Sequence, residues 1–291
     1  MVKIKKAIIP AAGWGTRLLP ASKAIPKEML PIVDKPGIQY IVEEAIASDI
    51  KEVILITAKG KSCIEDHFDI CQELEEVLEK KGEGELLTRI KEVSRLASIV
   101  SIRQKVPLGT GDAVLCASQI SEGEYVAVLF PDDLIDAEIP VTRQLMGICN
   151  RFHGGVVAIR EVPEEDTHLY GIIEGEMVED KLYQIKNIVE KPSPGTSPSN
   201  LAVIGRYILP PEIFPVLRQL PPSSDGEIQL AEGLVELSCQ QKLYGYQFSG
   251  TRYDIGDKLG FVRATIGYAL KRPDLNIRLK QWINNFLQNE G

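Results

Sequence analysis

The sequence predicts a mixed α/β fold, and three observations support this prediction. Short runs rich in β-branched residues recur along the first half of the chain, and segments with helical periodicity separate them. A glycine-containing loop follows the first run directly. After about residue 150 the apolar runs take the form of hairpin strands. Strands that alternate with helices form parallel βαβ units, so we expect a parallel sheet in the first half and an α+β portion in the second.

The elements of the first half follow from these patterns. Residues 38–46 repeat apolar side chains at i, i+3, i+4 spacing, which predicts a helix that covers one sheet face. Ser62 and Glu65 have the spacing of a capping box and predict the start of a second helix, in which His67 is structural. The core-facing residues of that helix are predicted to be Ile64, Phe68, Cys71 and Leu74. The strands of the first half are predicted at residues 7–10, 53–57, 99–103, 125–130 and 156–159.

In the second half, β-type segments are predicted at residues 170–174, 183–190 and 202–209. Proline pairs at 210–211 and 221–222 bracket a short helix. Residues 257–289 are helical again, and their apolar stripe is expected to pack on the body of the protein or on a partner subunit. The stripe consists of Leu275, Leu279, Trp282, Ile283 and Phe286.

Composition restricts the function. The 291 residues carry a net charge of −8 and have the average composition of a globular protein, which excludes collagen-like and disulfide-scaffold classes. An acidic chain argues against general nucleic-acid binding. It binds anionic small molecules only if it gathers cations and backbone amides in one place.

The cysteines and the N-terminal segment indicate a cytoplasmic protein. The five cysteines include no C-x-x-C pair and stand among three scattered histidines, so neither a zinc site nor a disulfide framework is predicted. The apolar run at residues 7–12 is too short for a signal sequence or a membrane span, so no membrane partner is expected.

The segment that follows the first predicted strand combines glycine with cations. Gly13 and Gly15 allow a ligand to approach the main chain, whose amides donate to phosphate oxygens. Positive charge is added by Arg17, Lys23 and Lys27. The alternative is a tight turn with solvated cations. A Walker A loop is absent, and a dinucleotide fingerprint needs a third glycine where Leu18 stands.

Over nearly its whole length the chain resembles the sugar-phosphate nucleotidyltransferases, and within them it is most similar to the bacterial enzymes that transfer a uridylyl group from UTP to glucose 1-phosphate. Residues 198–202 and 227–230 favour the uridylyl branch over the thymidylyl branch. Asp112 departs from the pattern, because many uridylyl-type members carry histidine there, and this leaves the base preference open. The motifs that carry the resemblance lie at residues 13–17, 26–31, 34–36, 108–111 with Gln104, 131–133, 189–192 and 227–230.

The resemblance implies a single Rossmann-like domain with a mixed, mostly parallel sheet flanked by helices. Residues 1–150 would form a nucleotide-binding half, residues 151–256 a smaller sugar-phosphate-binding α+β half, and residues 257–291 the C-terminal helices. The implied reaction forms UDP-glucose and pyrophosphate from UTP and α-D-glucose 1-phosphate by in-line attack on the α-phosphorus. Because both reactants are anions, we expect positioning and charge neutralisation by Mg²⁺, lysine and arginine to dominate catalysis.

The resemblance also implies the site residues. The implied catalytic residues are Arg17, Lys27, Asp132 and Lys191. The implied nucleotide-binding residues are Ala11, Ala12, Gly13, Gly15, Thr16, Arg17, Glu28, Gln104 and Gly109. The implied sugar-phosphate-binding residues are Gly171, Glu190, Lys191 and Asn200, and the implied metal ligands are Asp132 and Asp254.

Some of these assignments have alternatives. Asp132 follows an apolar run, at the strand edge where open α/β sheets bind ligands, but such a carboxylate also occurs in a solvated turn. Asp133 can serve only to hydrogen-bond the turn, and Asp254 can be a charge at a helix N-terminus. For the whole protein, thymidylyl transfer and a non-catalytic nucleotide-sugar sensor are the alternatives. A homodimer or homotetramer is expected.

Overall fold

The computed structural model describes residues 2–121, 123–223 and 226–289. The strands are β1 Lys6–Pro10, β2 Pro31–Ile32, β3 Lys35–Pro36, β4 Glu52–Thr57, β5 Ser98–Arg103, β6 Val126–Leu129, β7 Asp133–Asp136, β8 Gly155–Glu161, β9 Gly171–Glu179, β10 Leu182–Glu190, β11 Leu201–Leu209, β12 Leu243–Gln247 and β13 Thr251–Asp254. The helices are α1 Gly37–Ala47, α2 Ser62–Asp66, α3 Gln72–Lys81, α4 Gly84–Val93, α5 Gly109–Leu115, α6 Ser118–Ser121, α7 Val141–Phe152, α8 Ile213–Gln219, α9 Leu230–Gln240, α10 Lys258–Lys271 and α11 Asn276–Asn289.

A mixed nine-stranded sheet runs through the molecule in the order β5-β4-β1-β6-β11-β8-β12-β10-β9. The strands β5, β4, β1 and β6 pair in parallel, as the βαβ pattern predicts. Strand β11 pairs antiparallel with β6 on one side and with β8 on the other, so the two halves of the sequence share one sheet. The predicted mixed α/β fold is confirmed, although the described sheet is not mostly parallel, because four of its neighbouring strand pairs are parallel and four are antiparallel.

Helices cover both faces of this sheet. Successive strand residues point to opposite faces, and accordingly Ile8 and Ile9 of β1 belong to two different core clusters. Ile9 packs in the cluster that contains residues of α1 and α7, whereas Ile8 packs in the cluster that contains residues of α5, α8 and α9. Burial on both faces explains why the central strands read as continuous apolar runs.

The helix predicted over residues 38–46 is present as α1, but the predicted capping box at Ser62 is wrong. Lys61 is the N-cap residue of α2, and no side chain caps that helix. The Glu65 carboxylate turns away from the helix start and accepts hydrogen bonds from the hydroxyls of Thr57 and Ser101. A side chain with partners on two neighbouring strands is no longer free to cap its own helix.

The predicted core face of that helix is also only partly right. Ile64 and Phe68 are buried, but Cys71 and Leu74 are exposed. The reason is that α2 ends at Asp66 and a new helix begins at Gln72, so the helical period does not continue. His67 makes a structural contact, since its Nε2 lies 3.0 Å from Gln39 Oε1 and burial lowers its pKa.

A completely buried arginine, Arg206, connects β11 with α1 and with the turn between β6 and β7. Arg206 of β11 donates from Nε and Nη2 to both carboxylate oxygens of Glu44 on α1, at 2.8–3.0 Å. Its guanidinium also donates to the backbone carbonyl oxygens of Phe130 at 3.0 Å, Gly205 at 2.8 Å and Asp133 at 2.6 Å. Arg206 therefore holds the turn between β6 and β7.

The C-terminal stripe is only partly covered. Leu275, Leu279 and Ile283 are half-buried, whereas Trp282 is 60% and Phe286 43% exposed. The two aromatic rings stack on each other with centroids 5.3 Å apart. Within the described residues, no helix is long and apolar enough to cross a membrane.

Candidate active site

A cavity of about 900 Å³ opens where the carboxyl ends of the central strands meet the second half of the chain. Open α/β sheets bind ligands at this edge. Residues from both halves line the cavity. Among the residues predicted from the sequence, those lining it are Arg17, Asp132, Gly171, Glu190, Lys191 and Asp254.

The glycine loop leaves the end of β1 with its backbone fixed. The amide of Ala11 donates to Ile56 O at 2.8 Å, which continues the sheet by one residue. Gly15 has a φ of 68°, and a Cβ atom at this position would lie 3.1 Å from Lys27 Cβ. Only glycine combines this left-handed backbone with so close an approach. Thr16 and Arg17 follow in a single 3₁₀ turn that spans Thr16–Leu18.

A buried lysine holds the glycine loop by hydrogen bonds to its backbone. The sequence pattern did not predict this residue. Lys61 Nζ donates to Ala11 O at 2.6 Å, to Gly13 O at 2.7 Å and to Glu28 Oε2 at 2.9 Å. Burial lowers the pKa of Lys61, although the Glu28 carboxylate opposes this effect. Burial likewise raises the pKa of Glu28 against the opposing charges of Lys61 and Lys27. In the sequence, Lys61 looks like any exposed lysine before a helix. Its position therefore did not indicate that it is buried under the glycine loop.

Asp132 lies between two cations. Lys27 Nζ donates to Asp132 Oδ2 at 2.8 Å, and Arg17 Nη2 lies 3.6 Å from the same oxygen. Burial disfavours ionisation of Asp132, but the charges of Lys27 and Arg17 together with the hydrogen bonds to this carboxylate outweigh burial and keep its pKa below the ordinary value. Burial also disfavours the charged form of Lys27. The carboxylates of Asp132 and Glu28 together outweigh this effect of burial and raise the pKa of Lys27.

Asp254 reaches the same place from the second half of the chain. Its Oδ2 lies 3.7 Å from Arg17 Nη1, so one guanidinium bridges the carboxylates of Asp132 and Asp254. Burial raises the pKa of Asp254, and the charge of Arg252 opposes this rise. The structure thus brings together the two carboxylates that were predicted 122 residues apart in the sequence.

The donor set of these carboxylates fits a hard divalent cation. Across the described ranges, no three His, Cys, Asp or Glu side chains form a cluster that could hold a metal on its own. Mg²⁺ is commonly bound by only one or two carboxylates together with substrate phosphates. Two aspartates that face each other across one arginine supply that number of ligands.

The sugar-side residues form the opposite wall. A Cβ atom on Gly171 would lie 2.9 Å from Glu190 Oε2, so the glycine lets β9 pass close to this carboxylate as it now lies. The amide of Lys191 donates to Tyr170 O at 2.9 Å, and Lys191 Nζ lies 3.4 Å from Glu190 Oε1. Asn200 does not line the cavity, and its backbone carbonyl accepts a hydrogen bond from Val162.

Asp133 has structural partners that the sequence did not reveal. It accepts hydrogen bonds from Gly205 N at 2.8 Å and from Arg252 Nε at 2.5 Å. Arg252 Nη1 also donates to Tyr170 Oη at 3.0 Å. Arg252, which lines the cavity, was missed because a single arginine in a short strand carries no pattern.

Gln104 follows β5, which β4 separates from β1 and its glycine loop, and neither Gln104 nor Gly109 lines this cavity. The backbone amide of Gln104 donates to Thr57 O at 2.9 Å at the end of β5. Its side-chain nitrogen donates to Asp112 Oδ2 at 2.7 Å and to Gly109 O at 3.2 Å.

This fold and this charged cavity define a nucleotidyl transferase, and the family model described as nucleotidyl transferase matches residues 6–269. The chain belongs to the family of UTP–glucose-1-phosphate uridylyltransferases. A protein of that name from Bacillus subtilis is 50% identical over 290 residues, which cover 100% of this chain and 99% of the relative. A protein of the same name from Staphylococcus epidermidis is 50% identical over 283 residues, which cover 97% of this chain and 98% of the relative.

Solved structures of UDP-glucose pyrophosphorylases have the same fold as this chain. A UDP-glucose pyrophosphorylase from Acinetobacter baumannii superposes with a TM-score of 0.91 at 38% identity, covering 98% of this chain and 100% of that one. The UTP-bound form from the same organism gives a TM-score of 0.90 at 39% identity, with coverage of 97% and 99%. A UDP-glucose pyrophosphorylase complexed with UDP-glucose gives 0.84 at 40% identity, with coverage of 93% and 100%.

Proposed function

We propose that this protein forms UDP-glucose and pyrophosphate from UTP and α-D-glucose 1-phosphate. The observation that carries this proposal is the cluster of Arg17, Lys27 and Asp132 at the point where the glycine loop meets the sugar-side cavity. A phosphate oxygen of the sugar attacks the α-phosphorus, a new P–O bond forms, and the bond to pyrophosphate breaks. No side-chain nucleophile takes part.

The nucleotide phosphates bind to the loop of residues 13–17 and to the cations beside it. Arg17 is 59% exposed at its side chain, so it is free to contact a phosphate from its position above Asp132. Lys27 is 16% exposed and held by Asp132, which fixes its charge in one place. A charge that is already positioned stabilises the developing negative charge on pyrophosphate without reorganising during the reaction.

Asp132 and Asp254 would hold Mg²⁺. A bound magnesium ion would neutralise phosphate charge and so reduce the repulsion between the two substrates. The part played by this chain is to present the two carboxylates on either side of Arg17, from β13 and from the turn after β6.

On the opposite wall, Lys191 binds the phosphate of the sugar, and Glu190 accepts hydrogen bonds from sugar hydroxyls. Lys191 Nζ is 3.4 Å from the Glu190 carboxylate, and its side chain is 64% exposed, so it is free to reach a ligand in the cavity. Gly171 leaves room for the pyranose ring next to Glu190.

Replacing Lys191 with alanine is expected to raise KM for glucose 1-phosphate about 10- to 100-fold, the effect of losing a hydrogen bond to a charged group. KM for UTP should change less than about threefold, because a lysine assigned to one substrate has little effect on the other. Steady-state kinetics with each substrate varied in turn gives both constants. Lys186→Ala is the matched control, because it removes an exposed lysine of β10 that pairs with Glu176 of the neighbouring strand β9. Equal changes in both KM values would contradict the assignment of Lys191.

The proposed function is tested by pyrophosphate release with UTP, dTTP or CTP and a set of hexose 1-phosphates in the presence of Mg²⁺. We expect UTP with glucose 1-phosphate to give the highest kcat/KM. A preference for dTTP would instead assign the chain to thymidylyl transfer. No release with any nucleotide would support a nucleotide-sugar sensor.

We further propose a cytoplasmic homodimer or homotetramer. The exposed stack of Trp282 and Phe286 on α11 is the apolar surface that a second copy would cover. The cysteines at 63, 71, 116, 149 and 239 are all free, which fits a reducing compartment. Sedimentation velocity gives the oligomeric state directly, and a monomer at all concentrations would contradict the assembly.

A further inference from the structure

The amide group of Gln104 has one fixed orientation. Its nitrogen donates to Asp112 Oδ2 at 2.7 Å and to Gly109 O at 3.2 Å. An ionised carboxylate and a backbone carbonyl accept hydrogen bonds and do not donate them. Turning the amide over would place Gln104 Oε1 against two acceptors. The two partners therefore determine which end of the amide is nitrogen and which is oxygen.

The segment that carries Asp112 is itself fixed. Gly111 N donates to Ile228 O at 2.8 Å, and Ile228 N donates to Leu108 O at 2.7 Å. Gly109 has a φ of 94°, and a Cβ atom there would lie 2.7 Å from Ile228 O. These hydrogen bonds hold the start of α5 against residue 228. Asp112 is therefore held within hydrogen-bonding distance of Gln104.

Gln104 consequently offers only an acceptor to a ligand. Its side chain is 6% exposed, and in the part of the chain that the structure describes its Oε1 receives no hydrogen bond. The residue lies at the same sheet edge as the glycine loop, since Gln104 N donates to Thr57 O and Ala11 N donates to Ile56 O. A base bound at this edge within reach of Gln104 thus meets an oxygen and not an NH₂ group.

We propose that Asp112 is a positioning residue that makes the site select a base with an N3–H group. Uracil donates from N3 to the Gln104 oxygen, whereas cytosine places an unprotonated N3 against it and would need the NH₂ group that Asp112 holds. This inference rests on the proposed function and on the nucleotide-binding role that the family resemblance implies for Gln104. Thymine has the same N3–H group, so the device separates UTP from CTP and not UTP from dTTP.

The test compares kcat/KM for UTP and CTP in the wild type, Asp112→Ala and Asp112→Glu. In Asp112→Ala only the longer hydrogen bond to Gly109 O still favours one orientation of the amide, and we expect the UTP-to-CTP ratio to fall about tenfold, the factor that one hydrogen bond contributes. Asp112→Glu keeps an acceptor-only carboxylate for the Gln104 nitrogen and should retain the wild-type ratio within about threefold. KM for glucose 1-phosphate should stay constant in both variants. A purely structural role for Asp112 would not change the ratio between two nucleotides.

If Asp112→Ala does not fold, Asp112→Ser carries the same test, because a hydroxyl donates as readily as it accepts and no longer fixes the amide. An unchanged UTP-to-CTP ratio in the folded variant, with normal UTP activity in the wild type, would overturn this inference and leave the proposed function standing. A wild-type protein that releases no pyrophosphate from UTP would overturn both.

Discussion

Replacing Lys27 with methionine is expected to lower kcat for uridylyl transfer about 100- to 1,000-fold, the usual effect of removing one preorganised donor from a charge-stabilising site. Lys27 is the cation that Asp132 holds at 2.8 Å, and methionine keeps most of its length without its charge. Asp132 retains Arg17 at 3.6 Å, so the turn after β6 keeps a counter-charge and the fold should persist. Single-turnover kinetics with both substrates saturating isolates the chemical step from binding.

The matched control is Lys23→Met, which removes an exposed lysine from the same stretch of chain. We expect it to change kcat less than about threefold, because exposed charges are largely screened. A Lys27→Met protein with wild-type kcat would mean that the phosphates bind elsewhere. Loss of the far-UV circular dichroism spectrum in that variant would instead indicate that Lys27 serves the fold.

The second large effect concerns stability. Arg206→Met is expected to lower the free energy of unfolding by about 3–5 kcal/mol, the usual cost of removing one partner of a buried ion pair. The change leaves the Glu44 carboxylate with its Thr142 donors alone, and it removes the guanidinium donors from three backbone carbonyls. Chemical denaturation followed by circular dichroism measures the loss.

Two further variants identify the cause of that loss. Adding Glu44→Gln to Arg206→Met should recover part of the stability, because a neutral amide no longer leaves an unpaired buried charge. Arg143→Met removes an arginine whose pair with Asp49 is exposed, and its cost should stay below about 1 kcal/mol. Equal losses for Arg206→Met and Arg143→Met would contradict the structural role assigned to Arg206.

Sequence patterns predicted the architecture because it depends on local periodicity. The β-type runs of the first half and the helix over residues 38–46 have periods that any short window shows, and the structure contains them as β1, β4, β5, β6, β8 and α1. The glycine loop was equally visible, since Gly13, Gly15 and Arg17 stand within five residues. The prediction of a capping box at Ser62 was wrong because Glu65 bonds to residues distant in the sequence, the hydroxyls of Thr57 on β4 and Ser101 on β5.

The interactions that hold the site together were not predictable in this way. Arg206 and Glu44 are 162 positions apart, and Lys61 reaches Ala11 across 50 positions. Such pairs form only after the sheet brings distant segments together, and no local spacing records them. The carboxylates of Asp132 and Asp254 entered the prediction through the family resemblance, whereas the arginine that bridges them became visible only in three dimensions.

The most direct measurement is a crystal structure of the protein with UDP-glucose and Mn²⁺. We expect the diphosphate to lie within hydrogen-bonding distance of the amides of residues 13–17 and of Arg17, with Lys191 near the sugar-side phosphate. An anomalous peak for manganese should lie between Asp132 and Asp254. A diphosphate bound away from the glycine loop, or a manganese site without either aspartate, would contradict the account.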